Sequence, residues 1–407
     1  MTNKSAAIKI AKVLRRNGFV ALLAGGCVRD MLLRRIPKDY DVATDARPEK
    51  IINLFNRTLK VGAKFGVIIV LLDNCKVEVA TFRSEADYID GRHPQKVHFT
   101  DPAGDASRRD FTINGMFLDP VDKKVIDFVG GQADLKKKII RTIGLPDLRF
   151  GEDYLRMLRA VRFSAQLCFK IDSRTFDAIC KNAHNITQIS GERISMELEG
   201  ILTSPNRAKG LEILHKSGLA VAIFPGLENE TINYAVKILD NLSGIISYPL
   251  GLAALLTDRT IEFALKKLSI LKLSTNQTKH IKFLLDNRKR LLDYDMTLSQ
   301  LKMLLASPFF SDLYEMQKAI LKAEQRPVSP LLKLKKRIYL IDKNEIKPKP
   351  LLNGNELIQL GAVPGPSLGR LAKQLYIAQL DMIVTTKEDA KKFAQQWLRK
   401  QSKSLND

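Results

Sequence analysis

Two aspartates one residue apart, Asp39 and Asp41, follow an apolar run that ends in the diglycine Gly25-Gly26. Residues two apart in a strand face the same side, so a strand through Tyr40-Asp41-Val42 makes the pair a jaw for a divalent cation. Glycines, lacking Cβ, let a backbone or a phosphate come close. A third carboxylate, Glu78, sits between Val77 and Val79 in a β-branched run, where an unpartnered charge is costly to bury. Brought beside Asp39 and Asp41, it completes an all-oxygen donor set of the kind that holds Mg2+, an ion usually shared with substrate phosphates. A wet edge strand is the other reading of Glu78, and the stretch alone does not separate the two.

A second constellation lies downstream. Asp153, Arg156, Arg159 and Arg162 recur every third residue, which on a helix starting at Glu152 sweeps one half of the circumference and leaves Met157, Leu158 and Val161 on the other. An aspartate only accepts hydrogen bonds and an arginine only donates them. Cytosine and adenine each present an exocyclic amino donor beside a ring-nitrogen acceptor, and guanine and uracil present the reverse. An Asp153–Arg156 pair is thus able to select C and A without a template strand, because the wrong base leaves buried polar groups unpaired.

The elements that must position these groups are mixed at first and helical later. Phe19 to Ala24, Val67 to Leu72, Lys76 to Phe82 and Val125 to Phe128 read as strands, with a hairpin signal at Asp73-Asn74. Pro48 to Phe55 and Ser107 to Met116 read as helices, and Lys4 to Arg16 as a first structural helix. Ser84 to Thr100 has no clear period and is expected to be a mobile loop. From Glu152 onward the pattern is helical almost throughout, broken at glycines and prolines. Lys333 to Pro350, basic and ending in spaced prolines, reads as a linker, and Thr385 with Glu388 as the capping box of the last helix.

The bulk numbers narrow the function classes. The 407 residues carry 66 Lys and Arg against 44 Asp and Glu, a formal charge of +22, which favours a polyanionic partner. Four scattered cysteines without a Cys-x-x-Cys argue against a zinc ribbon and fit reduced thiols and a cytoplasmic location. No stretch of 18 consecutive apolar residues is present, so no membrane partner is expected. The phosphate-loop pattern Gly-x-x-x-x-Gly-Lys-Ser/Thr is absent, and no Gly-x-Gly-x-x-Gly follows the first strand.

Gly25-Gly26-x-Val28-Arg29-Asp30, then Asp39-x-Asp41, then the strand carrying Glu78, resembles the polymerase β nucleotidyltransferase superfamily. Within it the chain resembles the class II branch, the tRNA CCA-adding enzymes and bacterial poly(A) polymerases. The likeness continues through Arg108-Arg109-Asp110-Phe111-Thr112-Ile113-Asn114, through Asp127 to Gly131, through Glu152-Asp153 with Arg156, Arg159, Arg162 and Phe163, and through Gly191-Glu192-Arg193-Ile194. It departs at Gly115, where alanine is common, and at Asp105-Ala106, where an acidic-leucine pattern is usual.

The resemblance implies an α+β fold: a nucleotidyltransferase head (1–145) with a mixed sheet, then an all-α neck (146–206), body (207–340) and tail (341–407). It implies metal-assisted addition of C, C and A from CTP and ATP to tRNA 3′ ends, with poly(A) tailing or A-only addition as alternatives. CC-only relatives lack part of the loop before the double arginine, and residues 84–99 here are intact. Asp39 and Asp41 would hold Mg2+, with Glu78 a third ligand or a base. Gly25, Gly26, Arg29 and Arg109 would bind the triphosphate, and Asp153 and Arg156 the base. Arg159 and Arg162 would help hold nucleotide and phosphates, and Asp110 would meet either the ribose or Arg109.

Overall fold

The computed structural model describes residues 1–88 and 94–403. It divides into two units, residues 1–236 with 266–273, and residues 237–265 with 274 onward.

In the first unit, α1 (Asn3–Arg16) is capped by Thr2, whose side chain accepts from the Ser5 N–H. Its buried stripe of Ala6, Ala7, Ile10, Ala11 and Leu14 follows helical spacing and packs on the sheet. The sheet is built from β1 (Ala21–Ala24), β2 (Asp41–Thr44), β3 (Thr58–Leu59), β4 (Val67–Leu72), β5 (Cys75–Thr81), β8 (Phe117–Leu118) and β9 (Val125–Ile126), in the order β3-β4-β5-β2-β1-β8-β9. Only β2 and β5 pair in parallel; the other neighbours are antiparallel. Burying one face of β4 and β5 while wetting the other follows from their alternation: Val77 and Val79 are buried, Lys76 and Glu78 exposed. Their hairpin turns at Asp73, which takes the left-handed conformation aspartate tolerates (φ 51°). Helices α2 (Gly26–Leu32) and α3 (Pro48–Leu54) follow β1 and β2.

Within the stretch expected to be a mobile loop, residues 84–88 and 94–99 are strand. β6 (Arg83–Tyr88) and β7 (Pro94–Phe99) form an antiparallel ribbon with Arg83 opposite Phe99 and Ser84 opposite His98. A two-stranded ribbon with its own sheet needs no apolar alternation, so no period marks it in the sequence; residues 89–93 of that expectation lie outside the described residues. The helix expected over Ser107 to Met116 is likewise absent. α4 (Pro102–Ser107) stops before the arginines, Phe111 is extended and bridges Thr142, and Thr112–Asn114 is a single 3₁₀ turn. The backbone leaves the helix because Thr112 donates to the Arg141 carbonyl instead.

The chain then turns helical: α5 (Gly131–Lys137), α6 (Pro146–Glu152), α7 (Leu155–Leu167), α8 (Ser173–Asn182), α9 (Gly191–Leu202), α10 (Arg207–Lys216), α11 (Leu219–Ile223) and α12 (Asn229–Asn241), with the two-residue strands β10 (Ile139–Ile140) and β11 (Lys170–Ile171) paired in parallel. α9 and α10 pack against α7.

The second unit is all helical among the described residues: α13 (Tyr248–Leu255), α14 (Ile261–Leu268, ending in the first unit), α15 (Thr275–Asn287), α16 (Leu298–Leu305), α17 (Phe310–Ala323), α18 (Ser329–Tyr339), α19 (Lys343–Ile346), α20 (Gly354–Gln359), α21 (Pro366–Leu380) and α22 (Lys387–Lys403). The expected linker over Lys333 to Pro350 is largely helix. Leu331 and Leu334 are buried beneath the lysines of α18, so apolar spacing outweighs the basic composition. α22 is capped one residue later than its sequence suggests, Thr386 accepting from the Asp389 N–H at 3.1 Å. The α+β class, a mixed head followed by helices, is the observed one.

Candidate nucleotide-transfer site

β1 ends opposite β2, with Ala24 paired to Asp41, so the diglycine that follows β1 stands beside the first residue of β2. Parallel pairing of Val42 with Val79 carries Glu78 alongside Asp41. Asp39 lies two residues ahead of the start of β2 and is exposed, as is Glu78, while Asp41 is half-buried. Burial, the Glu78 carboxylate and, less strongly, the Asp39 carboxylate push the Asp41 carboxyl up to about 6, against the pull of Arg109.

Negative fields therefore converge on Asp41, and a carboxylate so raised is one a divalent cation would stabilise. The three carboxylates suit a hard cation, although no three acidic, His or Cys side chains among the described residues are gathered into a closed cage. Asp39 and Glu78 stand in solvent around Asp41, an open arrangement that leaves coordination positions for substrate oxygens.

Gly25 adopts φ 73°, and a Cβ there would lie 2.8 Å from Arg109 Nη1. The diglycine is thus where Arg109 passes over the backbone at the start of α2. Arg109 is held by the buried Asp105 (Nη2 to Oδ2, 2.9 Å), donates to the Asn114 carbonyl at 3.2 Å and lies 5.0 Å from the centre of the Phe117 ring. Asp105 also takes Arg108 at 2.7 Å. Burial raises the Asp105 carboxyl, but the two guanidinium groups outweigh it and hold it below the usual range. Asn114 ties the cluster together: its Oδ1 accepts from Arg29 at 2.7 Å and its Nδ2 donates to Asp110 at 3.1 Å.

Asp110 is paired with Arg159 rather than with its neighbour Arg109. It is buried and takes Arg159 at 2.7 Å and its own Phe111 N–H at 2.8 Å. Desolvation pushes its carboxyl up, yet Arg159 and the hydrogen bonds from Asn114 and Phe111 hold it at about 2.

The downstream quartet is also rearranged. Asp153 is not helical: α6 ends at Glu152, Asp153 is extended (φ −155°, ψ 105°), and α7 starts at Leu155. Its carboxylate accepts from the Leu155 N–H at 3.0 Å and from Arg193 Nη2 at 2.7 Å. Arg156 pairs with Glu152 and donates to the Arg149 carbonyl at 3.1 Å. The extended residue satisfies the first orphan N–H of α7, as an N-terminal aspartate commonly does. Arg162 is paired beyond the quartet: Glu197 takes its Nε at 2.6 Å and Gln166 its Nη1 at 3.2 Å.

A cavity of about 510 Å³ joins these parts. It is lined by Gly25, Gly26, Arg29, Asp41, Arg109, Asp110, Asp153, Arg156 and Arg159 of the expected set, with Arg108, Asn114, Phe163 and Arg193 among the others. Arg162 is not among the residues lining it and is paired with Glu197. Asp105, Asn114, Glu197 and Arg193 were missed as site residues. Arg193 and Asn114 stand inside recognisable motifs, whereas nothing local marks Glu197.

Comparison with known proteins places this geometry. Residues 21–141 match the poly A polymerase head domain, and residues 168–231 the probable RNA- and SrmB-binding site of polymerase A. A Streptococcus agalactiae CCA-adding enzyme is 32% identical over 406 residues, covering 96% of both chains. The chain belongs to the CCA-adding enzyme family. A Bacillus pumilus CCA-adding enzyme is 40% identical over 255 residues, 60% of this chain and 63% of that one; the match thus spans less than two thirds of that relative's length. The crystal structure of the Bacillus stearothermophilus CCA-adding enzyme in complex with CTP superposes with a TM-score of 0.81 at 28% identity, over 99% of this chain and all of that one. Enzymes of the family use divalent metal ions.

Proposed function

We propose that the protein adds C, C and A from CTP and ATP to tRNA 3′ ends without a template, releasing pyrophosphate. The observation that carries this reading is a single cavity with Asp41 and the diglycine at one part and Asp153 and Arg156 at another. It supports a division of labour in which the first group does chemistry and the second reads the base. The family relationship favours the same reading, and the relative that binds CTP covers the whole chain.

Divalent metal, proposed here as Mg2+, would be held by Asp39 and Asp41, with Glu78 as a further ligand or as the base for the attacking hydroxyl. When bound it would stabilise the attacking and leaving oxygens of an in-line displacement. Arg29 and Arg109, with backbone N–H groups at the start of α2, would take the triphosphate. Asp153 would accept from the exocyclic amine of C or A, and Arg156 would donate to the adjacent ring nitrogen. Each already has an opposite charge behind it, Arg193 and Glu152, which fixes its orientation before the base arrives. A carboxylate offers about four acceptor positions, so Asp153 keeps capacity for the base. Arg159 would reach the nucleotide from its anchor on Asp110.

The first 145 residues would then be the catalytic head, 146–206 a nucleotide-selecting neck, 207–340 an RNA-binding body and 341–407 a tail. No helix among the described residues is long and apolar enough to cross a membrane, and four free cysteines fit a cytoplasmic location. The test offers tRNAs ending before the first C, after C and after CC with each nucleotide separately. The expected products are C, C and A in turn, with no G or U incorporated. Long A tracts, or A on the third substrate alone, would replace this reading with poly(A) tailing or A-only addition.

A further inference from the structure

Three guanidinium groups from two different helices converge on one aromatic ring. The centre of Phe163 lies 4.2 Å from Arg162 Cζ, 5.1 Å from Arg29 Cζ and 5.5 Å from Arg159 Cζ. Arg159 and Arg162 precede it on α7, but Arg29 comes from α2, beside the diglycine. Each arginine is also tethered elsewhere: Arg29 to Asn114 and Asp30, Arg159 to Asp110, Arg162 to Glu197 and Gln166. Those tethers hold all three guanidinium groups within 5.5 Å of the ring centre. The electron-rich face of a phenyl group attracts cations and does so more strongly in a desolvated site.

The ring is itself fixed. Phe111, fully buried in the segment just after the double arginine, meets it edge to face at 5.8 Å and 81°. Phe163 is only 6% exposed although it lines the cavity, so it has no open face on which a base could stack. Its influence on a nucleotide therefore passes through the arginines.

We infer that Phe163 is a positioning residue for nucleotide binding, setting the spacing of Arg29 on α2 and Arg159 on α7 as a cation-binding ring rather than as ordinary core filling. The inference rests on the nucleotidyl-transfer reading of the cavity. It concerns triphosphate and ribose affinity and leaves base choice to Asp153 and Arg156.

The test keeps shape and removes the quadrupole. Mono-, di- and trifluorinated phenylalanines placed at 163 draw electron density from the ring face with little change in volume. KM for CTP and for ATP should rise step by step along the series, on the order of tenfold in total, with kcat and the preference for C and A over G and U unchanged. Phe163→Leu should match the trifluorinated protein, and Phe163→Tyr should restore near-wild-type KM. A flat KM series with an active enzyme would overturn the inference, as would a shift in base preference or a loss confined to kcat. Calorimetric CTP binding separates the two readings. Wild-type protein that binds CTP but extends no tRNA would sink the reaction, while the dependence of Kd on fluorination would still decide the role of the ring.

Discussion

The carboxylates of the site divide by what surrounds them. Asp41 is pushed up to about 6 by burial and by Glu78, so in metal-free protein its ionisation opposes folding. Its folded-state value lies above that of an unfolded chain, near 3.8, so the associated stability is complete below that value and is lost as pH rises through about 6. Asp41→Asn should accordingly melt at a higher temperature than metal-free wild type above pH ~6 and should fail to add nucleotides while still binding tRNA. Retained addition would refute the metal assignment. Asp110 is the opposite case, held at about 2 by Arg159 despite its burial. Its stabilisation is present above the unfolded value and is lost as pH falls through about 2. Asp110→Asn should cost about 2 kcal/mol at neutral pH, and urea titrations should find the difference shrinking between pH ~4 and ~2. A pH-independent difference would mean that the buried charge is not what Asp110 contributes.

Among the elements, the break between α6 and α7 matters most. A continuous helix would have placed Asp153 and Arg156 on one face. The extended Asp153 instead lets Arg193, on α9, hold its carboxylate while Glu152 holds Arg156. Arg193→Ala should therefore lower discrimination against G and U by on the order of tenfold or more, with the base preference of Asp153 loosened rather than reversed. Unchanged misincorporation in single-nucleotide assays would place Asp153 under other control. The double-arginine segment makes a related point. Gly115 stands where alanine is common in the resembled family, and a Cβ there would lie 2.6 Å from Val129 Cγ2 and 3.0 Å from Ile143 Cδ1. The departure is matched by the side chains that fill its space, and the 3₁₀ turn that presents Asn114 stays closely packed.

For the whole chain, a charge of +22 is expected to act mainly through RNA phosphates. The logarithm of tRNA affinity should fall linearly with the logarithm of salt concentration, with a slope reporting several phosphate contacts; an affinity indifferent to salt would leave that charge without its proposed partner. The sequence by itself determined the local elements and the kinds of chemistry. Alternation in β4 and β5, the diglycine after β1, the carboxylates Asp39, Asp41 and Glu78 and the three-residue arginine spacing are all short-range signals, and short-range sterics and periodicity are read directly from neighbours. The ribbon at β6 and β7 and the end of α4 escaped because no local period marks them. What only the tertiary structure decided is which charge meets which. Arg159 takes Asp110, 49 residues earlier, Arg193 reaches Asp153 across 40, and Glu197 takes Arg162 across 35. Ion pairs depend on separations of a few ångströms, and those separations are set by how distant helices pack, which no window of sequence contains.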